Sequence, residues 1–226
     1  MQNHNVQVSP ELRCTNRYKP FKDSHCLLSI SVGKDAHESK KFQATLELIK
    51  KFRFCTICVG DSLQRFTLAI MQDRNPNELL SIATQAGTDW ISRNLTLIKN
   101  SEIDYKIKRW DSYLEQADFE IFKQEILNDY QANSACYEAF KAAIDTFLAR
   151  QHSHITVSLP VARDFCFEYL LEESTVLRLW AMEGYDYEAY PGRRNEAMEY
   201  VYQKFVVPKY ANTLTSVLIK SVNFVY

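Results

Sequence analysis

HCLLSISVGKDAHESKKFQATLELIKKFRFCTICVGD, residues His25 to Asp61, holds two short apolar runs, HCLLSISVG and FCTICVGD, each reaching a glycine. Apolar runs of this length, bounded by turn residues, read as buried strands. Between them, ESKKFQATLELIKKF repeats its apolar residues at helical spacing, so an amphipathic helix begins near Ser39. After the second run, SLQRFTLAIMQ reads as a helix as well. Strand, helix, strand, helix in this order argues for a right-handed βαβ unit and a parallel sheet covered on both faces.

Working outward, Asn75-Pro76 supplies a cap and a first-turn proline for a helix from Pro76 to Lys99. IDYKIKRW, from Ile103 to Trp110, alternates as a strand does, and residues 111–150 are mainly helical, in two or three pieces. A helix follows SLP, then YDYEAYPG reads as a strand, then a helix from about Arg194 to Phe205, then the strand-like LTSVLIKSVNFVY. Residues 1–22 read as an irregular arm and 23–226 as one α/β domain, with a mainly parallel sheet flanked by helices.

The composition excludes several classes. With 46% hydrophobic and 13% aromatic residues among 226, the chain can bury a large core and is not disordered. The net charge of −1 does not announce a nucleic-acid binder, although a local basic patch is compatible with it. MQNHNVQVSPELR lacks the basic start and apolar core of a signal peptide, and no run approaches the roughly 20 apolar residues of a membrane span, so a cytoplasmic protein is expected. The six cysteines are scattered and read as reduced thiols; CTIC at Cys55 to Cys58 lies within a strand rather than at a helix start. His152 and His154 read as loop residues.

DFCFEYLLEESTVLRLW, Asp164 to Trp180, raises a chemical question. Phe165, Cys166, Tyr169, Val176, Leu177 and Trp180 form one helical stripe with Ala162, yet the turn in its middle falls on Glu172 and Glu173. Burying an unpaired carboxylate costs several kcal/mol, so such a residue is turned to the edge, paired or functional. In open parallel sheets ligands bind beyond the carboxyl ends of the strands. Ser31-Val32-Gly33, Gly60-Asp61 and Tyr190-Pro191-Gly192 all fall at such ends and can share a crevice. No G-x-G-x-x-G, P-loop or G-x-S-x-G pattern accompanies them.

With LLSISVG, EYLLEE and YEAYPG in this order, the chain resembles the cyclodipeptide synthases, Rossmann-like enzymes similar to the catalytic domains of class Ic aminoacyl-tRNA synthetases. These enzymes make a cyclic dipeptide from two aminoacyl-tRNAs. The resemblance covers roughly residues 24–220 and places Ser31 as nucleophile, Tyr169 and Glu173 four residues apart on a later helix, and Tyr190 about 20 residues further on. Lys34 and Pro191 match the subgroup with a variable residue after the serine and proline after the last tyrosine.

The resemblance implies an aminoacyl ester on Ser31, with Tyr169 and Glu173 reaching the substrate's α-amino group and Tyr190 acting as hydrogen-bond donor or proton relay. It offers Leu27, Ser29, Val59, Val176 and Glu188 for the aminoacyl pocket, the polar Ser29 and Glu188 hinting at a substrate that is not purely aliphatic. Arg93, Lys99, Lys106, Lys108 and Arg109 are candidates for tRNA contact. The synthetase motifs that activate ATP are missing, so the chain is expected to use no cofactor and no metal. It is also expected to bind neither membrane nor DNA, to act as a monomer, as small α/β enzymes commonly do, and, as the resemblance implies, to serve secondary metabolite biosynthesis. Two other readings stand beside it: an inactive relative that holds charged tRNA, and a serine acyl-enzyme hydrolase. The second needs a histidine base, yet none of the five histidines lies in the matched motifs.

Overall fold

The apolar runs at His25 and Phe54 pair side by side as expected. In a computed structural model that describes residues 11–14 and 17–220, β2 (His25–Ser31) lies parallel to β3 (Phe54–Gly60) on one side and to β5 (Tyr187–Tyr190) on the other. β4 (Tyr105–Arg109) extends the sheet beyond β3, β6 (Thr215–Lys220) extends it beyond β5, and β1 (Glu11–Arg13) closes the edge antiparallel to β6. The chain therefore runs outward from β2 to β4 and returns to lay β5 on β2's other side. The carboxyl ends of β2 and β5 form the topological switch point of the sheet, where neighbouring connections diverge and leave a crevice.

Strand alternation sorts the core into two layers. Cys26, Leu28 and Ile30 face α1 (Ser39–Ile49) and α3 (Pro76–Asn100), packing with Phe42 and Trp90. Leu27 and Cys58 face the opposite way, into a layer built from α2 (Gln64–Gln72), α4 (Asp111–Leu114), α5 (Asp118–Ala132), α6 (Ser134–Gln151), α7 (Leu159–Met182) and α8 (Glu196–Val201). Each fully buried leucine or isoleucine is worth about 1.5–3 kcal/mol. A one-residue slip of β2 would exchange its two faces, so this layering fixes the register. The same alternation parts Cys55 from Cys58, which enter different layers; all six cysteines are free.

Side-chain caps set several boundaries. Asn75 accepts a bond from the Asn77 amide at the start of α3, and Asn133 does the same from Ala135, so residues 111–151 form three helices. Asn195 caps α8 through the Met198 amide, which delays that helix past Arg194; it then widens into a π-turn over Tyr202–Val206. Within the expected arm, Glu11–Arg13 form a strand, and the end of the last apolar run lies outside the described residues. No described helix is long and apolar enough to cross a membrane.

Asp61, just past β3, is buried and paired with Arg109 of β4, whose guanidinium also bonds the Thr84 carbonyl at 2.6 Å and the Thr88 hydroxyl at 3.0 Å. α3 can approach this carboxylate only at Gly87, where a Cβ would stand 2.3 Å from an Asp61 oxygen. Gly87→Ala is accordingly expected to displace Asp61 and lower stability by about 2–4 kcal/mol, read by denaturant unfolding.

Candidate active site

Ser31 ends β2 and Tyr190 ends β5, so two neighbouring parallel strands deliver both hydroxyls to the switch point. Their oxygens are 2.9 Å apart. Beyond Ser31 the chain turns at once: the Lys34 amide donates to the Ser31 carbonyl at 3.2 Å, and Gly33 takes φ +83°, the left-handed conformation that a type II turn requires at this position. The turn brings the Lys34 ammonium back to the Tyr190 hydroxyl at 2.9 Å and within 4.5 Å of the ring centre.

A short 3-10 turn at Asp35–His37 then folds His37 beneath Ser31. The Ser31 backbone N–H donates to His37 Nδ1 at 2.8 Å, which leaves the neutral ring's proton on Nε2. Burial lowers this imidazole to about 4, the neighbouring Lys34 charge adding to the effect while the Ser31 carbonyl opposes it. The Trp90 indole holds the turn through the His37 carbonyl at 3.0 Å, and the His37 ring meets Tyr190 edge-on at 5.5 Å. His37 is thus a support of the Ser31 peptide that the sequence did not disclose; its only trace there is a histidine in a strand-to-helix connection. Because it engages the N–H and not the hydroxyl, it does not form the serine–histidine pair of a hydrolase.

The two adjacent glutamates of α7 lie in different surroundings. Glu172 is buried and accepts both arms of Arg65, at 3.0 and 2.5 Å, together with the Trp110 indole N–H at 2.9 Å. It is a structural carboxylate joining α7 to α2 and to the end of β4. Glu173 points elsewhere: the Tyr169 hydroxyl donates to it at 3.5 Å and the Asn195 amide at 3.1 Å. Burial pushes the Glu173 carboxyl up to about 7, Glu188 pushing the same way, while Asn195, Tyr169 and the Lys34 charge hold it down. Burial likewise raises the Tyr169 phenol well above its ordinary value, with Glu173 and Tyr190 contributing. Asn195 is a second group the sequence reading missed; it does double duty as cap of α8 and donor to Glu173.

Of the expected pocket residues, Leu27 and Glu188 are register partners on β2 and β5, and Ser29 and Ser31 follow Leu27 on the same face. Glu188 is buried and paired with Arg194 at 2.7 Å; Val176 is buried in the α7 layer. Val59 is not brought to them, since it pairs with Ile30 in the layer under α1 and α3. Among the basic candidates, Lys99 and Lys106 are exposed, and Arg93 is exposed with a 3.3 Å contact to Glu38. Lys108 is paired with Glu183 and Arg109 with Asp61, on opposite faces of β4. A strand that alternates in this way does not present one basic stripe.

A serine hydroxyl beside a phenol, and a carboxyl of near-neutral pKa beside a second phenol, together suit acyl transfer between an ester and an amine. No family model and no curated protein matches the chain. Solved structures do. A cyclodipeptide synthase from Fluoribacter dumoffii is 35% identical, with 96% of this chain and 100% of that one covered and a TM-score of 0.90. The chain belongs to the cyclodipeptide synthases. More distant structures share the fold: the enzyme from Candidatus Glomeribacter gigasporarum, solved bound to Phe-tRNAPhe, is 19% identical over 92% of each chain with a TM-score of 0.70. A Mycobacterium tuberculosis cyclodipeptide synthetase, described as related to type I tRNA synthetases, is 10% identical with a TM-score of 0.69, covering 96% of this chain and 95% of that one. In this cyclodipeptide synthase the serine, both tyrosines and Glu173 thus belong to two hydrogen-bonded pairs, one at the strand ends and one on α7.

Proposed function

We propose that this cyclodipeptide synthase is an aminoacyltransferase that joins two aminoacyl groups, each supplied as an aminoacyl-tRNA, into a 2,5-diketopiperazine through esters on Ser31. The observation that carries the reading is the 2.9 Å contact of the Ser31 and Tyr190 hydroxyls at the switch point, in a chain whose Glu173 is pushed up to about 7. Ser31 Oγ attacks the ester carbonyl of the first aminoacyl-tRNA; the new C–O bond forms as the bond to the ribose oxygen breaks, and the serine proton is passed to that oxygen. Glu173 and Tyr169 hold the α-ammonium of the aminoacyl-enzyme.

In the second half, Glu173 takes a proton from that ammonium, because only the neutral amine attacks the second aminoacyl ester; the new C–N bond forms as the bond to the second tRNA's ribose oxygen breaks, and the surplus proton of the attacking nitrogen goes to that oxygen. The resulting dipeptidyl ester closes when its free amine attacks the carbonyl on Ser31, forming the second amide and returning a proton to Oγ through Tyr190. A carboxyl with a pKa near neutrality can both pair with the ammonium and carry its proton. Lys34 and Pro191 fit the Tyr-Pro subgroup. Leu27, Ser29, Val176 and Glu188 border the aminoacyl group, and the exposed Arg93, Lys99 and Lys106 are the better candidates for phosphate contact, since Lys108 and Arg109 are already paired.

Expression in a bacterial host, with mass spectrometry of the medium, tests this reading. Diketopiperazines absent from the empty host are expected. Soluble protein that retains charged tRNA and releases no cyclic dipeptide from any aminoacyl-tRNA supplied would contradict it.

A further inference from the structure

The Tyr190 hydroxyl oxygen has two close polar neighbours, Ser31 Oγ and Lys34 Nζ, each at 2.9 Å. An ammonium can only donate, so Lys34 occupies one lone-pair direction of that phenol oxygen. What is left to Tyr190 on the Ser31 side is its own proton and one lone pair. We propose that Lys34 is a positioning residue for the reaction: it holds the Tyr190 oxygen beside Ser31 Oγ, with a lone pair to accept the serine proton and a proton to give, and offsets the negative charge that grows on the phenol oxygen as a proton passes.

The proposal rests on the reading above and assigns a role to a residue that acts on the reacting ester only through the Tyr190 hydroxyl. During acylation the Ser31 proton moves to the Tyr190 oxygen while the Tyr190 proton moves to the departing ribose oxygen; during cyclisation Tyr190 gives its proton to Ser31 Oγ as that oxygen leaves the carbonyl. The phenol ends each step neutral, and Lys34 keeps its proton throughout. In the intermediate geometry the phenol oxygen carries excess negative charge, and a cation 2.9 Å away stabilises it without having to reorganise.

Three local features hold the ammonium there. The Ser31–Lys34 turn, with Gly33 at φ +83°, fixes where the Lys34 side chain departs. The Tyr190 ring receives the ammonium over its face at 4.5 Å from the centre. The Lys34 carbonyl accepts the His37 amide at 2.8 Å, which ties the turn to the imidazole supporting Ser31. The same charge is felt at Glu173, so Lys34 belongs electrically to the whole site although its side chain is exposed.

Single-turnover acylation by labelled aminoacyl-tRNA, and the steady-state rate of cyclic dipeptide formation, would be compared in wild type, Lys34→Met, Lys34→Arg, Tyr190→Phe and the Tyr190→Phe/Lys34→Met double variant. Lys34→Met is expected to slow both steps about 10- to 100-fold at saturating aminoacyl-tRNA, and Lys34→Arg to recover most of the loss. In the Tyr190→Phe background the lysine change should cost less than about 2-fold, because its effect runs through the missing hydroxyl. A Lys34→Met enzyme with an unchanged saturating rate and a raised KM, or an equal loss with and without the Tyr190 hydroxyl, would overturn the proposal and make Lys34 a tRNA contact. Product formation by Ser31→Ala would instead sink the covalent reading on which it rests, a distinct result.

Discussion

Ser31→Ala is expected to abolish cyclic dipeptide formation, by at least about 10³-fold, while leaving the fold and the binding of aminoacyl-tRNA nearly intact. The side chain is small, half-buried and, among the described residues, hydrogen-bonded to the Tyr190 hydroxyl, which keeps Lys34 as a partner, so its removal opens little space and strands no buried group. Backbone support of the residue survives, because His37 accepts from the Ser31 peptide N–H and not from its side chain. The thermal midpoint should therefore stay close to that of wild type. Loss of product together with loss of fold would place the residue in the architecture and not in the chemistry.

The adjacent glutamates are expected to respond in opposite directions. Glu172→Ala removes the acceptor of Arg65 and of the Trp110 indole from a buried site, and a largely covered guanidinium left without its carboxylate puts the loss at about 3 kcal/mol, the lower end for a buried pair. Glu173→Gln keeps the shape and the Asn195 contact but cannot accept a proton, so kcat/KM should fall about 10²- to 10³-fold. Stability moves the other way. The folded carboxyl lies near 7 against an ordinary 4.5, so between these values the native state binds more protons than the unfolded one and wild-type stability falls as pH rises. Glu173→Gln removes that fall and should be more stable by about 1–2 kcal/mol at pH 8, discounted for partial solvent access, and little changed near pH 4.5. The rise of wild-type kcat/KM with pH through about 7 should vanish in the same variant. Denaturant unfolding at both pH values and a pH–rate profile check the pair.

How far the sequence carried this account depends on the type of signal. β2, α1, β3 and α2 were legible because short apolar runs and helical spacing alternate there, and α3 because Asn75 and Pro76 mark its start. Strand order was not legible: pairing β5 with β2 joins residues more than a hundred positions apart, and no local pattern encodes it. For that reason the strand-end rule could put Ser31 and Tyr190 in one crevice but could not bring their hydroxyls into contact. The two glutamates looked alike in the helical stripe, and a separation between them needed the positions of Arg65, Trp110 and Asn195, which come from three other parts of the chain. His37 was hidden because its role depends on the tight turn at Gly33 and not on any motif. Lys108 and Arg109 read as free cations until their partners Glu183 and Asp61 arrived from distant segments.

The most direct test of the central claim is a peptide-level mass measurement after acid quenching of the enzyme with a single labelled aminoacyl-tRNA. An ester on the peptide that contains Ser31, discharged as cyclic dipeptide when fresh aminoacyl-tRNA is added, is the predicted result. Cyclic dipeptide released at the full rate with no acyl group on Ser31, or with the label on another side chain, would contradict it.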